Sequence, residues 1–317
     1  MENSEEEQKH VPVLLKEVVE NIITKKDGIY IDGTLGLGGH TQKILENLDK
    51  KGRVVGFDKD VENLERAKQK LKQYGNQLIF INNGFEHLKA ELEELKIEKV
   101  SGVLLDLGLS SPHLESSGRG FSFQKDEPLD MRFDLNQKTT AEVVLNQFSE
   151  HKLAEIFKEY GEERFAKKIA SKIVHERRTT RITHTSQLVE IIEKVYGPKS
   201  PKKKRIHPAT RVFQALRIFI NDEIDVLKRG LEQAIEILEE GGRVVVISYH
   251  SLEDRMVKRL FKQEAKDCIC PPEIIVCQCE HKAKLKIVTK KPIVPTEEEI
   301  NENPRSRSAK MRVAERI

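Results

Sequence analysis

No stretch of this 317-residue sequence approaches the ~18 consecutive apolar residues that a membrane-crossing helix needs. Its first residues, Met1-Glu2-Asn3-Ser4-Glu5-Glu6-Glu7, are acidic where a secretory or organellar leader would be basic. Both absences argue against export and membrane insertion and predict a cytoplasmic protein. Cysteine is scarce as well: four residues, Cys268, Cys270, Cys277 and Cys279, confined to twelve positions. They are too few and too local for a disulfide framework, which fits a reducing compartment. Their C-x-C spacing is not the commoner C-x2-C of zinc sites, so zinc, a disulfide and free thiols all stay open, and no metal ligand is assigned.

Charge is what the chain has in quantity. Lys and Arg number 55 against 52 Asp and Glu, a third of all residues and a formal net charge of +3. The near-balance hides an uneven distribution: residues 161–211 carry +9 and residues 255–317 carry +6, leaving −12 on the remainder. Two basic regions on an otherwise acidic chain fit a polyphosphate partner better than a small neutral one. The apolar fraction of 38% still provides for a sizeable core, which excludes disorder for most of the chain.

Residues 29–32, 53–58, 78–81 and 103–106 are short β-branched runs, separated by helical stretches at 41–48, 61–73 and 85–95. Such alternation predicts a parallel α/β sheet of Rossmann-like type. It lapses after about residue 114, where no convincing strand is found until Arg243-Val244-Val245-Val246-Ile247-Ser248. Helical patterns at 140–148, 151–157, 165–175 and 186–196 fill the gap, so residues 115–207 read as an all-helical insertion between 1–114 and 208–295. Residues 213–238 supply one or two helices, and 285–289 with 293–294 a hairpin-like pair. Residues 296–317 lack hydrophobic periodicity and are expected to form a mobile basic tail.

The first strand runs into Asp32-Gly33-Thr34-Leu35-Gly36-Leu37-Gly38-Gly39-His40-Thr41, a glycine-rich turn that opens a helix. Asp58, at the end of the second strand, follows Gly36 by 22 residues, where an acid commonly hydrogen-bonds a ribose. The pair predicts an adenosine-type cofactor. Thr41 stands where the dinucleotide fingerprint needs its third small residue, which weakens a pyrophosphate site. S-adenosylmethionine (SAM), which has no phosphates, therefore fits better than NAD. Phe85, after the third strand, is a candidate to flank its adenine, with a core role equally open.

Asp106, leaving the fourth strand toward the same edge, begins Asp106-Leu107-Gly108-Leu109-Ser110-Ser111-Pro112-His113. An exocyclic nucleobase amine has its lone pair delocalised into the ring, so a methylating enzyme needs acceptors for its N–H groups. Asp106 and Ser110 are candidates, and His250 is a candidate to accept a proton or position the base.

The chain resembles, nearly end to end, the bacterial 16S rRNA cytosine-N4 methyltransferases. The blocks that carry the likeness include residues 10–15, Asp32 to Thr41, Asp106 to Pro112, Arg119-Gly120-Phe121-Ser122-Phe123 and Asp130-Met131-Arg132. They continue through His207 to Arg217, Ser248 to Arg255 and Asn303 to Ser308. The resemblance implies SAM-dependent methylation of a decoding-centre cytosine (position 1402 in standard rRNA numbering), with 16S rRNA or the small ribosomal subunit as partner. It implies cofactor contacts at Gly38, Gly39, His40, Asp58, Phe85, Asp106 and His113; His113 stands where the family is expected to carry Gln. RNA contacts are expected at Lys202, Lys203, Lys204 and Arg205, at Arg211, and at Arg305 and Arg307, with Lys310 and Arg312 acting likewise. Asp130, Arg132 and Arg211 are equally compatible with salt bridges inside the insertion. Phe121, Phe123 and Tyr249 are candidates to stack an extracted base, with a core role open for each. A homodimer is compatible with these features.

Other functions explain less. A NAD-linked oxidoreductase accounts for the glycine loop and Asp58 but not for the basic regions. A non-catalytic RNA-binding factor leaves Asp106 and the glycines without a role. A hydrolase would place His250-Ser251 in a nucleophile pair, yet there is no G-x-S-x-G elbow and the two residues are adjacent.

Overall fold

A computed structural model describes residues 12–108, 118–197, 207–271, 273–274 and 276–317. The chain divides into two compact units, residues 1–108 with 226–317, and residues 109–225.

The first unit is a seven-stranded sheet in the order β3-β2-β1-β4-β5-β7-β6. Its strands are β1 (Ile29–Asp32), β2 (Arg53–Phe57), β3 (Leu78–Ile81), β4 (Val100–Asp106), β5 (Leu238–Ser248), β6 (Leu285–Ile287) and β7 (Lys310–Arg316). β1 to β5 are parallel, and β7 runs antiparallel between β5 and β6. The inner strands are buried along nearly their whole length, which explains why they read as unbroken apolar runs rather than alternating ones. Helices α1 (Leu15–Ile22), α2 (Gly39–Asn47), α3 (Val61–Leu71) and α4 (Leu88–Glu94) accompany the first four strands. Asp60 caps α3 by accepting the backbone N–H of Glu62 and Asn63, and buried Leu64, Ala67 and Leu71 form the helix's inner face. Because β2 and β4 lie on opposite sides of β1, the order reverses there, and the carboxyl ends of β1 and β4 form the switch point where open α/β sheets bind ligands.

The second unit is helical: α5 (Ala141–Gln147), α6 (Glu150–Glu159), α7 (Ala166–Glu176), α8 (Thr185–Tyr196) and α9 (Ala209–Asn221) share one apolar core around Leu145, Phe157, Ile169, Leu188 and Leu216. Helix α9 was expected to belong with the sheet. Its buried Val212, Phe213, Ala215, Leu216 and Ile220 join the insertion's core instead, so the boundary lies beyond residue 207. The helical run at 213–238 is two helices, α9 and α10 (Glu223–Ile237), separated by Asp222 in the left-handed region at φ 50°. In the same unit Phe121 is buried and stacks on Phe133, while Phe123 stacks on His207.

The expected tail is ordered. Thr296 caps α12 (Glu297–Glu302), a 3-10 turn follows at Pro304–Ser308, and β7 enters the sheet between two strands. The proposed hairpin of 285–289 with 293–294 does not form. β6 pairs with β7, and Ile293 makes an isolated bridge to Met311. Met311 and Val313 enter one core, Ala314 the other. Several of the segment's charges are matched within the unit. Arg312 Nε donates to Asp254 Oδ1 at 2.6 Å and Arg243 Nε to Glu315 Oε2 at 2.9 Å. Arg312, buried and paired with Asp254, is not the RNA contact it was expected to be, and Lys310 lies 3.7 Å from the same carboxylate.

Candidate active site

The loop after β1 is held by its neighbours before any ligand is considered. Gly33 N–H donates to Leu104 O and Leu35 N–H to Phe57 O, both at 2.9 Å, which fixes the loop to β4 and β2. Asp32 is buried and accepts from Thr41 Oγ1 at 2.7 Å and from Thr34 N–H at 3.1 Å. Burial, outweighing these donors, raises its carboxyl above the ordinary value. Thr34 Oγ1 in turn accepts the Asp106 N–H at 2.7 Å, so one threonine ties the loop to the end of β4.

The glycines divide into two kinds. Gly36 sits at φ 52°, and a Cβ there would meet nothing nearer than Thr34 O at 4.0 Å, so its glycine leaves open space beside the loop. Gly38 sits at φ 73°, where it starts α2, and a Cβ would lie 2.5 Å from Leu71 Cδ1. At Gly39 a Cβ would lie 2.4 Å from Pro12. Gly38 and Gly39 are therefore required by inward packing, and only their backbones remain for a ligand. Replacing Gly38 by Val should cost about 2–5 kcal/mol, combining left-handed strain with overpacking. Denaturant unfolding measures this directly.

Asp58, partly exposed after β2, accepts Gly36 N–H at 2.8 Å through Oδ2 and Asp60 N–H at 2.8 Å through Oδ1. A carboxylate has about four lone-pair positions, so it can hold the loop and still receive ribose hydroxyls. Phe85 begins a 3-10 turn after β3 and packs with the core around β1, β4 and α10. Its ring occupies the place a side chain at Gly230 of α10 would need, 2.2 Å from Phe85 Cδ2.

The end of β4 gathers three polar side chains. Asp106 is partly exposed, with His40 Nδ1 3.7 Å from its Oδ2. The buried His40 ring also has Nε2 3.0 Å from Val13 O, so the imidazole joins the entry of α1 to the acid instead of standing clear as a simple cofactor contact. Tyr249, after β5, was a candidate to stack an extracted base; what sequence reasoning missed is its place beside Asp106. Its hydroxyl faces the Asp106 carboxylate within hydrogen-bonding reach, and a Cβ on Gly108 would meet its ring at 2.9 Å. Burial, then the charge and hydrogen bond of Asp106, hold the phenol well above its ordinary pKa, so it stays a donor to the acid. Tyr249→Phe should slow turnover by about 10- to 100-fold, the worth of one hydrogen bond to a charge, with little change in the unfolding midpoint.

His250 caps α11 (Ser251–Glu264). Its side chain accepts the Glu253 N–H, and Glu253 Oε2 accepts from the backbones of Tyr249 at 2.8 Å and His250 at 3.2 Å. The imidazole Nε2 is 3.0 Å from Glu253 Oε1 but outside hydrogen-bond geometry, with no other partner among the described residues. The structure thus gives His250 a helix-capping role that fixes Tyr249, where a residue that accepts a proton or positions the base was expected. Ser110 and His113 lie outside the described residues, as do Lys202, Lys203, Lys204 and Arg205.

Arg132 is engaged within the second unit. It pairs with Asp130 through Nε and Nη2, both at 2.7 Å, and donates to Leu135 O and Gln137 O. Burial pushes the Asp130 carboxyl up, but the Arg132 hydrogen bonds prevail and leave it below its usual value. The pair's stabilisation is present above the unfolded carboxylate pKa of about 4 and is lost as pH falls through the lower folded value. Asp130→Asn should remove that acid limb from the melting profile. Arg211, exposed, donates to Glu162 O at 3.1 Å, and Arg305 and Arg307 are exposed on the 3-10 turn.

A parallel sheet with an antiparallel seventh strand, a glycine loop after β1, an acid after β2 and a second acid after β4 define an S-adenosylmethionine-dependent methyltransferase. Residues 7–317 match the model of the MraW methylase family. "Ribosomal RNA small subunit methyltransferase H" of Halothermothrix orenii is 49% identical over 308 residues, covering 97% of this chain and 98% of that protein. The proteins of the same name from Clostridioides difficile and Caldicellulosiruptor saccharolyticus are 48% and 50% identical, each covering 97% of this chain and 99% of its own length. The chain belongs to the MraW methylase family.

No helix among the described residues is long and apolar enough to cross a membrane.

Proposed function

We propose that this enzyme methylates the exocyclic N4 of a cytosine in small-subunit rRNA, at position 1402 of the decoding centre. The observation that carries the reading is the partly exposed Asp106 carboxylate, oriented by Tyr249 and placed beside the glycine loop by Thr34. The relatives' shared name supports the rRNA substrate.

S-adenosylmethionine supplies an electrophilic methyl group on a sulfonium. Asp58 would hold its ribose hydroxyls, and the Gly36 to Gly39 backbone would follow its amino-acid part; the open space at Gly36 fits that role. Asp106 would accept an N–H of the cytosine amine, drawing electron density back onto nitrogen as it attacks the methyl carbon. Transfer breaks the sulfur–carbon bond, and the amine's surplus proton leaves to Asp106 or solvent. Ser110 and His113 are proposed to complete the acceptors and the cofactor contacts. His250 is proposed to act through the turn it caps.

RNA would be held by Lys202 to Arg205, by Arg211 and by Arg305 and Arg307. The second unit also exposes Lys167, Lys168 and Arg178. Replacing Arg305 and Arg307 together with Gln should weaken RNA binding and lower the slope of log affinity against log salt by about 1.4, the share of two phosphate contacts on single-stranded RNA. An unchanged slope would remove these residues from the interface.

The reading is tested by incubating labelled SAM with rRNA, or with small subunits, from cells lacking the enzyme, then digesting to nucleosides. Label in N4-methylcytidine supports it. Label in another nucleoside, or none, refutes it.

A further inference from the structure

The connection from α11 to β6 is long and irregular. Its base is closed where Lys284 N–H donates to Glu264 O at 2.7 Å, and no helix or strand forms among its described residues. It has no apolar core of its own: Ile269, Ile274 and Val276 are 42%, 37% and 73% exposed. An excursion of this length held by neither a ladder nor burial needs another constraint.

Its four cysteines converge. One Sγ from each of Cys268, Cys270, Cys277 and Cys279 lies within 4.8 Å of the other three. The Cys277–Cys279 and Cys268–Cys279 sulfur separations are 3.6 and 3.8 Å. A tetrahedron of thiolates about 2.3 Å from a central zinc has edges of about 3.8 Å. A disulfide would bring two sulfurs to about 2.05 Å. A cluster of several irons would need its thiolates spread around a larger core, whereas this spacing leaves room for one ion.

Backbone donors complete the pattern. The N–H groups of Ile269, Cys270 and Gln278 point at Cys279, Cys268 and Cys270 Sγ, each at 3.4 Å. Amides aimed at sulfur favour the thiolate that a metal requires. Ile274 N–H to Pro271 O, at 3.0 Å, folds the two C-x-C arms toward each other. His281 Nε2 lies 3.2 Å from Gln263 O, so the ligand set is the four sulfurs without the imidazole.

We infer that Cys268, Cys270, Cys277 and Cys279 form a tetrathiolate site for one zinc ion, which staples the α11–β6 loop in place of an apolar core. The site is structural: four protein ligands leave no position for substrate or water.

The full chain, purified without added metal, should carry about one zinc per chain, the stoichiometry of a closed site. Its four thiols should react slowly with a disulfide reagent until an organomercurial displaces the metal, releasing zinc in step. Cys268→Ser with Cys279→Ser should lose the zinc and speed tryptic cleavage near Lys266, Lys282 and Lys284, leaving the rest of the digestion map unchanged. Below about 0.3 zinc per chain with four fast-reacting thiols, the inference fails. It fails equally if intact mass shows disulfides, or if stoichiometric iron or copper replaces zinc. These wild-type measurements decide the matter even if the double variant does not fold.

Discussion

Replacing Asp106 by Asn is expected to lower methyl transfer by about 10²- to 10⁴-fold, the range a positioned proton acceptor supplies. The change is nearly isosteric, and the backbone anchor from Asp106 N–H to Thr34 Oγ1 does not depend on the side chain. The Asn carbonyl can still receive Tyr249. Its amide nitrogen, however, offers donors where the carboxylate accepted, and a substrate amine also presents donors. The resulting donor–donor contact acts on the reacting nitrogen and hardly on the fold. Single-turnover transfer should fall while the SAM dissociation constant changes by less than about 5-fold, the size of one modest hydrogen bond. A variant keeping a third or more of the wild-type rate would show that Asp106 does not handle the amine. One losing SAM binding and rate together would make the residue a cofactor contact instead.

Ending the chain at Ala309 is expected to abolish soluble expression. The deletion removes β7, which pairs with β5 along six residues and with β6 along three. It also removes the buried Met311, Val313 and Ala314, opens two strand edges, and leaves Arg243 and Asp254 without Glu315 and Arg312. Burial of Met311 and Val313 alone amounts to about 1.5–3 kcal/mol each. Together with the lost ladder this is comparable to the whole 5–15 kcal/mol stability of an ordinary domain. Val313→Asp, which buries a charge in the same strand, should fail similarly, whereas Arg307→Gln on the exposed turn should fold normally. A soluble truncated chain with an unchanged melting curve would return this segment to the status of a tail.

The contrast between the two ends of the sheet explains what could be read in advance. β1, β2 and β4 are buried parallel strands with apolar runs and helical spacers, so burial and sequence pattern coincide, and β3 at the sheet edge keeps an apolar run with Leu78 buried and the rest half-buried. In β7 four of the seven residues are charged. Arg312 and Glu315 are compatible with a sheet position only because Asp254 and Arg243 lie opposite, partners 58 and 72 positions away in the chain. Local periodicity carries no trace of such pairing. Helix α9 was misassigned for a related reason, since an amphipathic helix shows that it has an apolar face but not which core receives it.

The site was legible as a set of positions and less so as a set of roles. Asp58 and Asp106 stand at strand ends, as their spacing required. Gly38 and Gly39 were expected to contact the cofactor; the sequence did not show that their missing side chains also make room for Leu71 and Pro12. For His250 a signal was present and had another meaning: Glu253, three residues on, makes the pair a reciprocal helix cap. Tyr249 gave no sign of its bond to Asp106, because that contact spans two strands and 143 residues.

Methyl transfer to one cytosine amine is proposed to depend on Asp106. Small subunits from cells lacking the enzyme should be treated with SAM and either wild-type protein or Asp106→Asn, and the decoding-centre fragment analysed by tandem mass spectrometry. One added methyl on N4 of cytosine 1402 is expected with the wild type and almost none with the variant. A methyl at another position, or equal modification by both proteins, would contradict it.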